Sequence, residues 1–199
     1  MDFYLGKDKL KRSLLCLIAS LLIALAMVLM SRNKQGSDSM TMVAEGLSIS
    51  TKLTLGQANV VLNVIYLVLG IITAKELLGF GTLCTVFLTG AIIDLINIIP
   101  FEIDPYLSVI ISLFLYSLGI ELMIYSKMGM GAFEAFLIKT CENNHWKYPK
   151  IKVIADVFFF TLGLVLKANF GLGTLVFVFL TGPCVGVWEK ILKGEKIWK

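Results

Sequence analysis

The sequence predicts an all-α membrane protein with six transmembrane helices, built as two inverted three-helix repeats that each contain a short amphipathic or re-entrant helix. Three observations predict this fold: long uncharged stretches, an internal repeat, and cations that sort to one side of the predicted membrane. Of the 199 residues, 57% are hydrophobic and 16% are charged, whereas about a quarter of a typical soluble domain is charged. The charges cluster between the apolar stretches.

Six stretches are candidate spans, since a span needs about 20 predominantly apolar residues. The first follows a basic N-terminal segment. It is longer than the hydrophobic region of a signal peptide, and no Ala-x-Ala-like site follows it, so we expect a retained helix. Four stretches of 17 to 21 residues contain no Asp, Glu, Lys or Arg, namely Leu14–Met30, Thr54–Ala74, Leu77–Ile93 and Ala168–Trp188. The other two contain acids: Pro105–Ser126 includes Glu121, and Ile151–Leu166 includes Asp156.

The cations predict the topology. With a cytoplasmic N-terminus and six crossings, 14 of the 18 Lys and Arg residues lie on the cytoplasmic side, and four (Arg32, Lys34, Lys52 and Lys167) lie outside. This split follows the positive-inside rule and predicts that both termini are cytoplasmic. The formal net charge of +4 therefore indicates topology rather than nucleic-acid binding.

An internal repeat divides the chain into residues 1–98 and 99–199. The segment Gly79–Gly90 is identical to Gly171–Gly182 at nine of twelve positions, at an offset of 92 residues. Upstream, Asn63 pairs with Asp156 at offset 93, and Gly36 pairs with Gly131 at offset 95. Because each half has three crossings, an odd number, the second half must enter from the opposite face, as in many secondary transporters.

Each half also contains a glycine-containing polar segment followed by a short helical pattern. In the second half this segment is Ser126–Leu137, and Glu134 falls in the first turn of its helix. An acid there complements the helix dipole, which is a sufficient structural reason for it. If such helices re-enter the membrane, their N-termini favour an anionic group. We favour an interfacial position because helices of 10–14 residues are too short to span.

Ionisable groups inside a membrane are costly and are functional candidates by default. Asp156 and its counterpart Asn63 suggest a polar pocket drawn from both halves, and Glu121 is a second buried acid. Asp156 has a structural alternative, an ion pair with Lys152 four residues earlier. Thr89 and Thr181 belong to repeated Thr-Gly pairs and predict facing positions across a pseudo-twofold axis. Gly182 precedes Pro183 and predicts either close helix packing or a broken helix that presents its backbone to a substrate.

The Gly-x-Gly pairs Gly79/Gly81 and Gly171/Gly173 are explained by compact helical hairpins, and no βαβ context makes them a nucleotide-binding motif. The four cysteines form no C-x-x-C pair, so neither a metal nor a cofactor is predicted. No catalytic constellation is evident, and we predict a non-enzyme.

The candidate pathway thus consists of Asn63, Thr89, Glu121, Glu134, Asp156, Thr181 and Gly182. It predicts a secondary transporter or permease with alternating access, whose small-molecule or ion substrate the sequence does not name. The alternative is a non-transporting accessory or regulatory protein that docks a partner on the basic, aromatic loop Cys141–Lys152. The lipid bilayer is the expected environment, nucleic acid is not an expected partner, and the modest interior of six such helices is compatible with a homodimer.

Three strings of the second half, Gly119–Met123, Lys127–Glu134 and Gly171–Leu175, resemble the YczE/YyaS/YitT family of bacterial membrane proteins. In that family a glycine-rich turn leads into a Pro-Trp-Asp-like segment, and a Gly-x-Gly-Thr hairpin follows. Here Ala132-Phe133-Glu134 stands in place of Pro-Trp-Asp. The resemblance implies a multi-pass protein of the bacterial plasma membrane and carries over no catalytic residues.

Overall fold

The computed structural model describes residues 7–32, 34–146 and 148–192. All regular structure within these ranges is helical, including a 3₁₀ turn at Lys75–Leu77. Six helices are long and two are short. They are α1 (Lys7–Arg32), α2 (Ser39–Ser50), α3 (Leu55–Thr73), α4 (Phe80–Ile98, π-helical at Cys84–Leu88), α5 (Pro105–Ser126), α6 (Ala132–Asn143), α7 (Tyr148–Val165) and α8 (Leu172–Leu192). The predicted order of long, short, long and long helices occurs in both halves.

Five of the helices are long and apolar enough to cross a membrane: α1 from Lys9, α3, α4, α5 and α8. These helices indicate a membrane protein. The predicted sixth span, α7, carries Lys150, Lys152 and Asp156 within 18 residues and is not one of the five. Of the cations behind the topology prediction, Lys147, Lys193, Lys196 and Lys199 lie outside the described residues.

The centre of the fold is an antiparallel pair, α1 and α5. Near one end, the Cys16 thiol donates a hydrogen bond to Ser126 Oγ at 3.2 Å. Near the other end, Met30 packs with Val109 in one buried cluster. A Cβ on Gly119 would lie 2.7 Å from Ile23 Cγ1, so the glycine permits the close crossing. Helix α4 then packs on α1, and α8 packs on α5.

The two short helices are exchanged between the halves. Helix α2 packs against α7, and α6 packs against α3. Phe133 of α6 meets the Tyr66 ring of α3 edge-on, with 5.0 Å between the ring centroids. Seven of the twelve residues of α2 are buried. Both short helices therefore bury their apolar faces against other helices of the chain, and their interfacial position in the membrane stays a prediction.

The Gly-x-Gly segments have a second role besides the predicted compact hairpin. Gly81 N donates to Met128 O at 2.8 Å, and Gly173 N donates to Gln35 O at 2.8 Å. Each segment therefore touches the polar loop that precedes the short helix of the other half. A Cβ on Gly171 would lie 2.7 Å from Gln35 O. The glycines are needed for close contact between the halves, and not only for a tight hairpin.

The backbone conformation gives a different alignment of the polar loops that precede α2 and α6 from the one inferred from the sequence. Gly36 and Gly129 both have positive φ, +81° and +103°, which favours glycine over other residues. They are 93 residues apart, like Asn63 and Asp156 and like the first residues of α2 and α6. The sequence match of Gly36 with Gly131 was therefore displaced by two residues.

Candidate functional site

A cavity of about 560 Å³ lies between the two halves. All eight helices contribute to its lining, and the short helices contribute their N-terminal ends. Six of the seven residues predicted for the pathway line it together: Asn63, Thr89, Glu134, Asp156, Thr181 and Gly182. They come from five different helices, so the fold brings together groups that are distant in the sequence.

Four side chains that are charged at neutral pH give the cavity an acidic character. Asp38, Glu134 and Asp156 face one lysine, Lys152. Lys152 Nζ lies 2.6 Å from Asp156 Oδ1, as the structural alternative for Asp156 predicted. Ser39 of α2 donates a second hydrogen bond to the same oxygen at 2.6 Å. With all four groups ionised the cluster carries a formal charge of −2, so Asp38 and Glu134 hold the negative charge that Lys152 does not balance.

Each of these two unbalanced carboxylates lies at the start of a short helix. Asp38 is the N-cap of α2 and accepts hydrogen bonds from Met40 N and Thr41 N, both at 3.2 Å. Glu134 lies in the first turn of α6. The protein's own carboxylates thus occupy the positive helix ends, in agreement with the structural reason that the sequence analysis gave for Glu134. Burial raises the pKa of both Asp38 and Glu134, because an apolar environment disfavours the charged form.

A second polar pair lines the cavity from α3. Asn63 Nδ2 donates to Asn59 O at 3.0 Å and to Asn59 Oδ1 at 3.1 Å. Asn59 is 5% exposed, and its Nδ2 has no hydrogen-bond partner among the described residues. Asn59 and Asn63 correspond to Lys152 and Asp156 at the offset of 93, so each half supplies two polar side chains four residues apart. The uncharged pair faces the same cavity as the ion pair.

Both Thr-Gly segments lie where a helix is irregular. In α4, the π-helical stretch Cys84–Leu88 ends at Thr89, whose hydroxyl donates to Cys84 O at 3.4 Å. In α8, Pro183 lacks the N–H that would bond the carbonyl of Phe179, a cavity-lining residue. Irregular turns of this kind release backbone carbonyls and are frequent at functional sites.

The two Thr-Gly segments differ in their packing. A Cβ on Gly90 would lie 2.8 Å from Gly56 O of α3. Apart from the nearby backbone of α8 itself, no atom of the described residues lies within 4 Å of a Cβ placed on Gly182 or on Gly186. Likewise α3 and α4 pack closely, whereas α7 and α8 share few contacts. Close packing within the chain therefore explains Gly90 and does not explain Gly182.

Glu121 is the one predicted pathway residue that does not line the cavity. It is 2% exposed, and its Oε1 has no partner among the described residues. Its neighbours Ile120 and Ile124 do line the cavity. Glu121 is thus a buried acid on the cavity helix α5 and is not part of the polar cluster.

Sequence reasoning missed Asp38, Asn59 and Tyr116, all of which line the cavity. The signal for Asp38 was available, because an Asp before Ser-Met-Thr is a typical N-cap. Asn59 was detectable as the offset-93 counterpart of Lys152. Tyr116 lies beside Asp38, and nothing in its apolar span distinguishes it from a residue that packs in the core.

Five apolar helices long enough to cross a membrane, around a cavity with charged residues in its lining, indicate a helical membrane protein. The chain belongs to a family described as Family of unknown function (DUF6198), which matches residues 10–190. Comparisons with curated proteins and with solved structures found no match.

Proposed function

We propose that the protein is a small secondary transporter or permease of the cell membrane that works by alternating access between two inverted repeats. The observation that carries this proposal is the cavity itself. Both halves line it, and the same helix pair is closed in one half and separated in the other. Gly90 packs on Gly56 in the first half, whereas its counterpart Gly182 has open space around it. Such a difference between equivalent halves is what alternating access requires.

The inverted arrangement has independent support. Helices α1 and α5, which begin the two halves, run in opposite directions. The hydrogen bonds Gly81 to Met128 and Gly173 to Gln35 are equivalent under exchange of the halves, and so are the contacts of α2 with α7 and of α6 with α3. We further propose that α7 is the sixth crossing, because Lys152 and Asp156 neutralise each other inside it.

In the proposed cycle, α7 and α8 close on each other while α3 and α4 separate. The contact between Gly56 and Gly90 would open, and the cavity would become accessible from the opposite side of the membrane. Asp38, Glu134 and Asp156 would bind the solute or a coupling proton during this movement, since a carboxylate held in an apolar environment takes up a proton readily. The short helices α2 and α6 would act as re-entrant elements that deliver these groups to the cavity.

Purified protein in liposomes tests the proposal through solute flux driven by a pH gradient or a solute gradient. We expect flux in the wild type and its loss in the double variant Asp156→Asn with Glu134→Gln. Glu102→Gln is the matched control, because Glu102 is exposed and does not line the cavity. Unchanged flux in the double variant would show that these cavity carboxylates take no part in transport.

An accessory role remains the second candidate, and one observation favours it. Trp146, in the loop predicted to dock a partner, is 53% exposed. A photo-crosslinker at position 146 would capture a stoichiometric protein partner under the accessory hypothesis and mainly lipid under the transporter hypothesis. The similarity to YczE/YyaS/YitT proteins stays a prediction under either function.

A further inference from the structure

We propose that the cavity binds an organic cation, an ammonium group on an apolar body, with the ammonium held by Asp38 and Glu134. This inference rests on the proposed function in that it names the substrate class of the same cavity. It goes beyond that function because binding can be measured without transport.

The charge of the cavity selects a cation. Three carboxylates, those of Asp38, Glu134 and Asp156, share Lys152 as the one basic residue among the cavity-lining residues, and its ammonium pairs directly with Asp156. Burial disfavours ionisation of Glu134, Lys152 favours it, and the carboxylates of Asp38 and Asp156 add a repulsion that opposes it. A ligand ammonium would relieve this repulsion, whereas a ligand carboxylate or phosphate would add to it. The helix N-termini, which otherwise attract anions, are occupied by the protein's own acids.

The cavity walls select an apolar body. Apolar residues also line the cavity: α1 and α5 contribute Met27, Ile120 and Ile124, and α8 contributes Phe177. Phe133, next to Glu134 in the sequence, adds an aromatic ring to the wall, and Lys152 Nζ already lies 5.3 Å from the centroid of this ring. A bare inorganic cation would gain little from these apolar walls, since it prefers a shell of oxygen ligands. A cavity of about 560 Å³ is in the range that small organic ligands occupy.

A third feature points to a ligand independently of the acids. Asn59 lines the cavity and is 5% exposed, and its Nδ2 donor is unpaired among the described residues. Buried donors are nearly always satisfied, because an unpaired one costs the full desolvation free energy of the group. A hydroxyl or carbonyl oxygen on the bound cation would satisfy it. An amine that carries such an oxygen should therefore bind more tightly than the plain amine.

The test is titration calorimetry on the full chain in lipid nanodiscs. The three probes share one shape and differ in charge: phenethylamine, 2-phenylethanol and 3-phenylpropanoate. We expect phenethylamine to bind at least about tenfold more tightly than the other two. Tighter binding of the alcohol or of the anion would overturn the proposal, and so would the absence of measurable phenethylamine binding.

Variants locate the binding site. Asp38→Asn keeps a side chain that caps α2 and removes the charge, so we expect it to weaken phenethylamine binding about tenfold or more. Glu134→Gln should do the same. The matched control is Asp104→Asn, which makes the same exchange at the N-cap of α5, away from the cavity. Equal affinities in all four proteins, each shown by a cooperative thermal transition to be folded, would refute the assignment.

Transport is scored separately with radiolabelled phenethylamine in liposomes. If the amine binds in the expected pattern but is not carried, the cation site stands and the transporter proposal fails. If other solutes are carried while phenethylamine neither binds nor competes with them, the transporter stands and the substrate class is wrong.

Discussion

At the scale of single residues, Gly90 and Gly182 show how equivalent positions acquire different tasks. Both follow the threonine of a repeated Thr-Gly pair. A Cβ on Gly90 would meet the backbone of Gly56, whereas one on Gly182 would meet no neighbouring helix within 4 Å among the described residues. The repeated sequence therefore meets a steric requirement at Gly90 and meets none at Gly182 among the described residues.

This difference predicts that replacing each glycine by alanine affects the stability of the protein differently. We expect Gly90→Ala to destabilise the protein by about 1–3 kcal/mol, since a rigid backbone oxygen occupies the required space. Gly182→Ala should be neutral or slightly stabilising, because alanine favours helix by up to about 1 kcal/mol over glycine. Thermal unfolding in detergent measures both variants. Equal destabilisation would contradict the difference between the halves.

The cavity acids predict a dependence of stability on pH. Burial raises the pKa of Glu134 and Asp38, so between the ordinary carboxyl value of about 4 and the raised value the folded state binds more protons than the unfolded state. Stability should therefore increase as pH falls through this window and decrease as pH rises. The charged or titratable groups that face Glu134 across the cavity are Asp38, Tyr116, Lys152 and Asp156.

Glu134→Gln isolates the contribution of one acid. We expect the melting temperature of this variant to depend less steeply on pH than that of the wild type, whereas Glu102→Gln should leave the slope unchanged. Melting curves recorded from pH 4 to pH 8 give the slopes. A slope that does not change in Glu134→Gln would show that this carboxyl titrates normally in the folded protein.

At the scale of elements, the short helices are held by the opposite half of the chain. Helix α2 packs on α7 and α6 on α3, while each Gly-x-Gly segment bonds to the loop before the partner half's short helix. A short helix of 12 residues is marginal alone. Its order therefore depends on this exchange, which also fixes the positions of Asp38 and Glu134 at the cavity.

The close contacts of the Gly-x-Gly segments predict that a side chain at these glycines destabilises the protein in either half. A Cβ on Gly79 would lie 2.9 Å from Met128 C, and one on Gly171 would lie 2.7 Å from Gln35 O. We expect Gly79→Ala and Gly171→Ala each to lower the melting temperature. Gly186→Ala, which meets no atom within 4 Å, is the control. If the segments were only hairpin turns, a destabilisation of one would not be mirrored by the other.

At the scale of the whole molecule, the repeat predicts that Lys75 and Lys167 lie on opposite faces of the membrane. Each lies four residues before the first glycine of its Gly-x-Gly segment. In a background without the four native cysteines, we expect Lys75→Cys to react with a membrane-impermeant thiol reagent only from the cytoplasmic side, and Lys167→Cys only from outside. Labelling of both from one side would disprove the inverted topology.

Much of this organisation was accessible from the sequence, for a physical reason. Apolar helices of bilayer length and a repeated Gly-x-Gly-Thr string are local features, so the order of the helices in each half was predicted. The shared location of Asn63, Thr89, Asp156 and Thr181 was also predictable, because two related halves place equivalent residues about one interface. Glu121 shows the limit of that reasoning, since a residue's place in a span does not reveal which helix face lines the cavity.

The sequence by itself determined an apolar helical chain with a duplicated plan and polar groups at matching positions in the two halves. Only the tertiary structure decided that the short helices are exchanged between the halves, that Asp38 and Asn59 join the predicted residues, and that Gly90 is packed where Gly182 is not. The reason is that periodicity and hydropathy describe each helix along its own axis. Which residues line a cavity depends on how eight helices are rotated and spaced around it. Contacts between side chains far apart in the sequence determine that rotation and spacing.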